Sequence, residues 1–221
     1  TGSSGSIARG VMPALVDRGY EVVSVGRKAS GQGAVSRHVQ VGDINGNTVW
    51  REALPGVDVV VHLAGRAHVT GQAADPTHFT DINVEGTLHL ARRAAAAKVR
   101  RFVFISSIGV NGNASASPFK ETDLPRPMEA YAVSKLRAEQ GLFELGRSAG
   151  MEVVVIRPPL VYGPAAPGNF GALMGALRKG VPLPLGAVHN RRTLIGRANL
   201  AVLICRCIEH PAPANQVFRA G

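Results

Sequence analysis

Tyr131 and Lys135 are four residues apart in the segment YAVSK, a phenol that can exchange a proton and an ammonium that carries positive charge. Four residues is about one helical turn, so in a helix both side chains leave the same face and can reach one bound molecule. The same spacing also occurs on solvated helix faces. The surrounding sequence has to decide between the two.

The chain opens with a second candidate site, the glycine-rich stretch TGSSGSIA. Gly2 and Gly5 have a GxxG spacing, and Ala8 stands where a third glycine commonly falls. Such a turn brings backbone N–H groups close to a ligand, and the helix after it adds the positive end of its dipole, which favours a pyrophosphate. An ordinary Gly/Ser-rich turn would look similar. The amphipathic segment and the strand-like run that follow favour phosphate binding.

Basic residues follow the next apolar run, in GYEVVSVGRK. Dinucleotide-binding folds that select NAD place an acidic residue there to bind the ribose 2′-OH, whereas a guanidinium suits a 2′-phosphate. Arg27 therefore favours NADP over NAD, the alternative being an exposed basic loop. Asp43, in VGDI, ends the following strand and could accept a hydrogen bond from an adenine amino group, or simply form a turn.

Apolar strand-like runs alternate with helical segments along the chain. The predicted strands are 21–25, 38–41, 57–63, 101–106 and 151–157. The predicted helices are 6–18, 48–54, 79–97, 131–149, one near 169–179 and one from residue 199. This alternation predicts an α/β fold with a doubly wound parallel sheet, which collects its ligands at the carboxyl ends of the strands.

The pattern changes after Arg157 to Pro- and Gly-rich connections. We expect residues 1–157 to form a Rossmann-like domain and residues 158–221 a partial substrate lobe interleaved with the last strands. The chain begins at the glycine-rich turn and stops just after a predicted strand. We expect a first strand and a C-terminal segment to be absent from this sequence, or the fold to be abbreviated.

Composition places the 221 residues among globular chains, because 45% are apolar and only 18% are charged. The most apolar stretch, 57–65, is too short to cross a bilayer, and we expect a cytoplasmic protein with no membrane partner. The formal charge of +10 suits a phosphate-bearing ligand. No aromatic side chains are interleaved with Lys98, Arg100 and Arg101, so we predict a solvated helix end there and no nucleic-acid partner.

Cysteine and histidine usage predicts no metal site. Cys205 and Cys207 lie two apart in a predicted helix, where their side chains diverge, and they are expected to be buried free thiols. The seven histidines are scattered without ligand spacing.

Six motifs in order resemble the extended short-chain dehydrogenase/reductase family of nucleotide-sugar epimerases, dehydratases and ketoreductases. They are TGSSGSIA for TGxxGxxG, HLAG (62–65) for HxAA, NVEGT (83–87) for NVxGT, FISS (104–107) for the serine strand, YAVSK for YxxxK and RPPLVYGP (157–164) for RPxxVYGP. The branch most similar is the one acting on UDP-4-keto-6-deoxy-N-acetylhexosamines, a likeness carried by GMEVVVIRPPLVYGP and PLPLGAVHNRRTLI.

The resemblance implies hydride transfer at the sugar C4, with Tyr131 as general acid/base. A free phenol has a pKa near ~10, so the Lys135 ammonium and an oxidised nicotinamide are needed to bring it toward neutral pH. Lys135 would also hydrogen-bond the nicotinamide ribose. Ser107 would hold the substrate oxygen, although a strand-end serine can equally satisfy the backbone.

The resemblance also implies the remaining site residues and a homodimer formed through helices 79–97 and 131–149. The cofactor residues implied are Gly2, Ser4, Gly5, Ser6, Ile7, Arg27, Asp43, Ile44, Leu63, Ala64, Gly65, Asn83 and Lys135. The residues implied for a UDP-sugar substrate are Ser107, Val110, Asn169 and Arg192, the last on the diphosphate.

Two departures from the family pattern affect the sugar contacts, Asn111 for a usual tyrosine and Leu160 for a frequent asparagine. A 4-reductase using NADPH and a 4-epimerase both stay open, with Arg27 favouring the reductase. A dehydratase is disfavoured, because Ile108 and Gly109 follow Ser107 instead of an Asp–Glu pair. The alternative class is a Rossmann sensor or scaffold that binds dinucleotide without catalysis.

Overall fold

The computed structural model describes residues 1–28, 35–67, 76–120, 122–164, 168–183, 187–189 and 191–220. Its strands are β1 (Val23–Gly26), β2 (Arg37–Gln40), β3 (Val59–His62), β4 (Arg101–Ile105), β5 (Glu152–Arg157), β6 (Leu160–Tyr162), β7 (Leu194–Gly196) and β8 (Gln216–Arg219). Its α-helices are α1 (Ala8–Val16), α2 (Pro76–Phe79), α3 (Thr87–Ala96), α4 (Ala130–Ala149), α5 (Gly168–Arg178) and α6 (Arg197–Glu209).

The central sheet has the order β3-β4-β5-β8, and every pair in it is parallel. In the register of β4 and β5, Phe104 lies opposite Val155 and Ile105 opposite Ile156. All carboxyl ends therefore meet at one edge, where Ser106 and Ser107 follow β4. The prediction of a parallel α/β sheet is confirmed.

Helices cover both faces of this sheet, because successive strand residues point to opposite sides. Phe102, Phe104, Val153 and Val155 belong to one buried cluster, together with residues of α3 and α4. Val103, Ile105, Val154 and Ile156 belong to the other, with residues of α1 and α6. This two-sided burial explains why β4 and β5 are continuously apolar in sequence.

The glycine-rich turn joins the central sheet to a second, two-stranded parallel sheet of β1 and β2. The Thr1 nitrogen donates to the Val61 carbonyl oxygen at 2.8 Å, and the Thr1 carbonyl oxygen accepts the Leu63 N–H at 3.3 Å. On the other side, the Ser3 N–H donates to the Val25 carbonyl oxygen at 3.4 Å. Below this junction, a cavity of about 920 Å³ lies between β1 and β3 and is lined mainly by apolar side chains of α1, β1 and β3.

The predicted helix over 48–54 is wrong, because this segment forms turns. The Thr48 hydroxyl accepts from the Asn45 N–H at 2.9 Å and contacts the carbonyl oxygens of Asp43 and Asn45, so its side chain competes with helical backbone bonding. Pro55 also disfavours a helical conformation at Leu54.

The predicted helix over 79–97 is interrupted. Residues Thr80–Gly86 form a π-helix between α2 and α3. Gly86 is needed there, because a Cβ at this position would lie 2.8 Å from the Ile44 Cγ2 atom. Helix α4 agrees with its prediction and ends at Gly150, which adopts the left-handed conformation (φ 69°) typical of a C-terminal cap.

The solvated helix end predicted around Arg101 is wrong for Arg101 itself, which is only 1% exposed. Its Nη1 atom donates to the carbonyl oxygens of Cys207 (2.5 Å), Ile208 (3.1 Å) and His210 (2.7 Å). A positive charge at a helix C-terminus is favourable, and here it stabilises the end of α6 inside the fold. Cys205 and Cys207 are buried free thiols, as predicted.

Helices long and apolar enough to cross a membrane are not found in the described part of the chain. Within the same residues, no cluster of three His, Cys, Asp or Glu side chains is placed to hold a metal ion.

Candidate active site

Tyr131 and Lys135 come together near the start of helix α4. The Lys135 Nζ atom lies 6.0 Å from the centroid of the Tyr131 ring and 4.5 Å from that of Phe104. Phe79 also contacts Tyr131, with ring centroids 6.2 Å apart. The four-residue spacing thus puts the phenol and the ammonium on one face of the helix.

Burial controls the protonation of both groups. The Lys135 ammonium donates to the carbonyl oxygen of Ile105 at 2.9 Å. Burial lowers the pKa of Lys135 to about 8, and the charge of Glu139 opposes this shift. Burial raises the pKa of Tyr131 to about 12. The phenol of the protein alone is therefore harder to ionise than free tyrosine, and further positive charge at the site is needed for it to act as a base near neutral pH.

Ser107 lies just beyond the carboxyl end of β4, at the N-cap of the short 3₁₀-helix Ile108–Val110. Its Oγ atom accepts the Gly109 N–H at 3.1 Å, the local backbone bond that a strand-end serine can make. Because a hydroxyl both accepts and donates, Ser107 can still give its proton to another group.

Asn83 lies in the π-helix and is 1% exposed. Its Oδ1 atom accepts the Arg66 N–H at 2.8 Å, and its Nδ2 atom donates to the Arg66 carbonyl oxygen (3.1 Å) and the Ser134 hydroxyl (3.0 Å). Asn83 therefore ties the segment after β3 to helix α4, beside Lys135. It fixes a wall of the site, and a direct contact with cofactor stays a prediction.

Two consecutive residues after β3 connect the glycine-rich turn to the Tyr–Lys pair. A Cβ on Gly2, whose φ is +73°, would lie 2.7 Å from the Ala64 nitrogen. A Cβ on Gly65 would lie 3.1 Å from the Lys135 Nζ atom. Ala64 thus touches the turn while Gly65 leaves space in front of the ammonium, so the two predicted halves of the site are adjacent.

Helix α1 begins without a side-chain cap, and its first turn contains no acidic residue. The Gly5 N–H is bonded to the Gly2 carbonyl oxygen at 2.9 Å, which closes the turn. The Ser3 hydroxyl is buried with no hydrogen-bond partner in the described residues. An uncapped helix N-terminus fits a phosphate group, while the Ser3 hydroxyl lies against Gly26 at the end of β1. The other residues predicted for the turn are at least partly exposed: Ser4, Ser6 and Ile7.

Arg27 and Asp43, for which the sequence predicts separate contacts with cofactor, form an ion pair. The Arg27 Nη1 atom lies 3.1 Å from the Asp43 Oδ1 atom, and the two side chains are 76% and 70% exposed. Gln40 donates to the Arg27 carbonyl oxygen at 3.1 Å and so fixes its backbone. Since an exposed pair of this kind is weak, both side chains are free to exchange partners.

The predicted substrate residues do not form one described cluster. Val110 has no exposed surface, and its N–H donates to the Ser107 carbonyl oxygen at 3.1 Å. Arg192 is exposed in the connection before β7. Asn169 belongs to α5, but its side chain lies outside the described residues. Their substrate roles stay predictions.

Sequence reasoning missed Arg197, the first residue of α6. Its Nη1 atom donates to the carbonyl oxygens of Pro164 (3.0 Å) and Ser6 (3.5 Å), linking the glycine-rich turn to the segment after β6. No local motif marks it, because its partners are distant in sequence. Sequence reasoning also gave no role to Glu139, although it lies one turn beyond Lys135 on α4.

This geometry defines a Rossmann-type enzyme of the short-chain dehydrogenase/reductase class. The profile of the NAD dependent epimerase/dehydratase family matches residues 1–221, and the chain belongs to that family. The predicted family and the prediction of an enzyme are thereby confirmed.

Two of the relatives are enzymes named for nucleotide-sugar substrates. The chain is 41% identical to UDP-glucose 4-epimerase of Vibrio cholerae, in an alignment that covers 99% of this chain and 68% of that protein. It is 36% identical over 146 residues to GDP-6-deoxy-D-mannose reductase of Pseudomonas aeruginosa, covering 65% of this chain and 47% of that one.

A solved structure similar to this fold is that of MoeE5 in complex with UDP-glucose and NAD. It matches with a TM-score of 0.88 and 26% identity, over 100% of this chain and 74% of that chain. The predicted Rossmann-like fold is therefore confirmed, in a chain shorter than this neighbour.

Proposed function

We propose that this protein is a UDP-sugar 4-epimerase in which Tyr131 moves the proton of the C4 hydroxyl. The observation that carries the proposal is the contact of Ala64 with the glycine-rich turn and of Gly65 with the Lys135 ammonium. A dinucleotide whose pyrophosphate lies at Gly2 would then extend along these residues toward the Tyr–Lys pair. The likeness to the Vibrio cholerae epimerase supports the choice of reaction.

Each catalytic residue has a separate task in this proposal. Tyr131 takes the hydroxyl proton and returns it, and Ser107 donates a hydrogen bond to the same oxygen. Lys135 supplies positive charge below the phenol, which offsets the burial that raises the Tyr131 pKa. The nicotinamide, when bound, accepts and returns the hydride and adds a second positive charge.

The positions of the site residues indicate which of them would hold each part of a dinucleotide cofactor. Gly2 and Gly5 would let the backbone of the turn approach the pyrophosphate, and N–H groups at the N-terminus of α1 would bind it. Asp43 would bind the adenine amino group, and Arg27 would face the ribose. Asn83 would keep the Gly65 wall in place.

Incubation of the full chain with UDP-glucose and NAD tests the proposal. We expect UDP-galactose to form without net accumulation of NADH. NMR of the anomeric proton measures the conversion. Tyr131→Phe should abolish the conversion, while Tyr20→Phe, at a tyrosine outside the site, should leave it unchanged. Binding of NAD and UDP-glucose without conversion would reject the epimerase and favour a non-catalytic dinucleotide-binding protein.

A second candidate is a UDP-4-keto-6-deoxy-hexosamine 4-reductase that consumes NADPH. It is favoured by Arg27 and Lys28, which suit a 2′-phosphate, and by the likeness to the Pseudomonas aeruginosa reductase. NADPH oxidation in the presence of the 4-keto sugar would identify the reductase, whereas turnover of UDP-glucose with no net oxidation would identify the epimerase. Titration with NADP and NAD side by side would determine the cofactor preference.

The substrate side of the proposal rests on Arg192. A guanidinium can donate two hydrogen bonds to a diphosphate, and Arg192 is exposed and free to reach one. Asn169 is proposed to border the sugar, and Val110, which has no exposed surface, is proposed to act from behind Ser107 through the bond to its carbonyl oxygen. Arg192→Ala should raise the KM for UDP-glucose with little change in kcat, and Arg191→Ala is the matched control.

The wider assembly is proposed on the same basis. Residues 1–157 would bind the cofactor, with the cavity between β1 and β3 taking one further parallel strand, and residues 158–221 would contribute to the substrate lobe. A homodimer through α3 and α4 and a cytoplasmic location are likewise proposals. Sedimentation would test the dimer, and an exclusively monomeric protein would refute it.

A further inference from the structure

Glu139 is a buried carboxylate one helical turn beyond Lys135. Tyr131, Lys135 and Glu139 are spaced by four residues on α4 and so share one face of the helix. Glu139 is only 2% exposed, and no step of the proposed reaction uses it. A buried carboxylate is costly unless it is paired and hydrogen-bonded, so its partners indicate its task.

Both carboxylate oxygens of Glu139 accept hydrogen bonds. Oε1 accepts from the Ser106 hydroxyl and from the Arg157 Nε atom at 3.0 Å, and Oε2 accepts from the Arg157 Nη2 atom at 2.5 Å. Arg157 is itself 5% exposed, and its Nη1 atom donates to the Asn111 Oδ1 atom at 3.0 Å. One carboxylate and one guanidinium thus join helix α4 to the carboxyl ends of β4 and β5 and to the 3₁₀ turn.

Successive turns of α4 hold successive residues of the strand end. Lys135 donates to the carbonyl oxygen of Ile105, and Glu139 binds the side chain of Ser106. Ser107 comes next, at the point where the proposed substrate oxygen would lie. Because the two residues before it are fixed from α4, and Asn111 after it is held by Arg157, the position of its hydroxyl depends on this network.

The pair also determines the charge around Lys135. The ionisable or charged groups facing its ammonium are Tyr131 and Glu139 on its own helix and His62 on β3, with Arg157 on β5 behind Glu139. Glu139 favours the protonated lysine, and Arg157 is the ion-pair partner that keeps the carboxylate ionised in the interior. Removing either partner alone would leave one uncompensated charge in a low-dielectric region.

We propose that Glu139 and Arg157 are positioning residues of the active site, which hold the Ile105–Ser107 strand end in place, and that Glu139 also sets the charge environment of Lys135 beneath Tyr131. This inference rests on the proposed function and adds two residues to it that touch neither substrate nor cofactor. The pair acts through Ser106 on the position of Ser107, and Glu139 acts through its charge on Lys135. These two effects can be separated by mutation.

The charge effect is measured by ¹³C NMR titration of the lysine side chains, which needs no activity. Glu139→Gln removes the negative charge and should lower the pKa of Lys135 by about one unit. The double variant Glu139→Gln/Arg157→Met removes both charges and should recover about half of that shift, because the guanidinium left unpaired in the single variant is gone. Glu144→Gln, at an exposed carboxylate on the same helix, is the control and should leave the titration unchanged.

The positioning effect is measured with Ser106→Ala, which removes one hydrogen bond and no charge. We expect kcat to fall about tenfold, the KM for the nucleotide sugar to stay within about twofold, and the Lys135 titration to be unchanged, since one hydrogen bond to a charged group is involved. Because this small substitution removes no volume from the core beyond one oxygen, it keeps the test usable if the Glu139 variants fold poorly.

Equal titration of Lys135 in Glu139→Gln and Glu144→Gln would overturn the charge effect, and unchanged kcat in Ser106→Ala would overturn the positioning effect. A wild-type chain without any turnover would refute the proposed function instead, while the Lys135 titration would still decide the charge effect.

Discussion

Two arginine–carboxylate pairs lie in the candidate active site, and they differ in burial. The Arg157–Glu139 pair joins α4 to β5 with side chains 6% and 3% exposed. The Arg27–Asp43 pair lies at the ends of β1 and β2, with side chains 76% and 70% exposed. Their chemistry is the same, and their surroundings give them different tasks.

Burial makes the first pair part of the framework. Neither ion can be left alone in a low-dielectric interior, so the geometry of both is fixed and transmitted to Ser106 and Asn111. The second pair gains little from its Coulomb attraction in water. Arg27 can therefore turn to a ligand phosphate at small cost, which a framework residue cannot do. The difference separates groups that hold the site from groups that meet the ligand.

The largest effect should come from the phenol within the buried region. Tyr131→Phe removes the proposed proton carrier, and we expect kcat to fall about 100- to 10,000-fold, the range of general acid–base contributions. The free energy of unfolding should change little, because the ring and its contact with Phe79 remain. Steady-state kinetics and urea denaturation measure the two. A variant that keeps more than a fifth of the wild-type kcat would show that the buried region does not contain the chemistry.

Breaking the buried pair should lower the free energy of unfolding much more than breaking the exposed pair. Glu139→Ala leaves the Arg157 guanidinium buried and unpaired, and we expect the free energy of unfolding to fall by about 3–5 kcal/mol. Asp43→Ala, the same change at the exposed pair, should cost less than about 1 kcal/mol. Urea denaturation of both variants makes the comparison, and equal losses would contradict it.

The buried ammonium should make stability depend on pH. The pKa of Lys135 is about 8 in the folded chain and near its ordinary value of 10.5 when unfolded. Between these values the unfolded chain keeps a proton that the folded chain releases, so the free energy of unfolding contributed by Lys135 rises with pH, by roughly 3 kcal/mol in total. Lys135→Met should be the more stable protein at pH 7 and should lack this rise.

The difference between wild type and Lys135→Met isolates this contribution from other groups. Burial raises the pKa of Tyr131 to about 12, so ionisation of this phenol in the unfolded chain lowers the free energy of unfolding at high pH. Measurement between about pH 8 and 9.5 avoids most of this decrease. Parallel stability curves of the two proteins across this range would mean that Lys135 is not held in a desolvated state.

The smallest effect should come from the exposed pair, and it should appear in ligand binding. If Arg27 meets a 2′-phosphate, Arg27→Ala should weaken NADP binding about tenfold and NAD binding less than twofold, as the loss of a charge-assisted hydrogen bond predicts. Isothermal titration with both dinucleotides checks this, with Arg93→Ala on α3 as the control. Equal losses of affinity for the two cofactors would show that Arg27 belongs to an exposed basic loop and does not bind the 2′-phosphate.

The sequence predicted the main strands and helix α4 within about two residues, because both depend on patterns within one segment. Continuous apolar runs such as 151–157 indicate strands buried on two faces, and Gly150 marks the end of α4. The failures have local causes that patterns do not show. The Thr48 hydroxyl replaced helical bonding over 48–54, and the contact between Gly86 and Ile44 accompanies the π-helix.

Arg101 and Arg157 illustrate a second limit. Both are arginines at the ends of apolar strands; the sequence predicts a solvated Arg101 and assigns Arg157 to a motif without a partner. In the fold, one binds carbonyl groups at the end of α6 and the other binds Glu139. The carbonyl partners of Arg101 are 106 to 109 residues away, and Glu139 lies on a different element from Arg157, so no local spacing could reveal them.

The sequence by itself determined the order of the elements, the glycine-rich turn and the one-turn spacing of Tyr131 and Lys135, since each depends on neighbours along the chain. Only the tertiary structure decided the protonation of these groups, the partners of Glu139 and the burial of the Ser3 hydroxyl. Desolvation and ion pairing depend on which distant segments surround a side chain, and that is known only when the sheet and its helices are assembled.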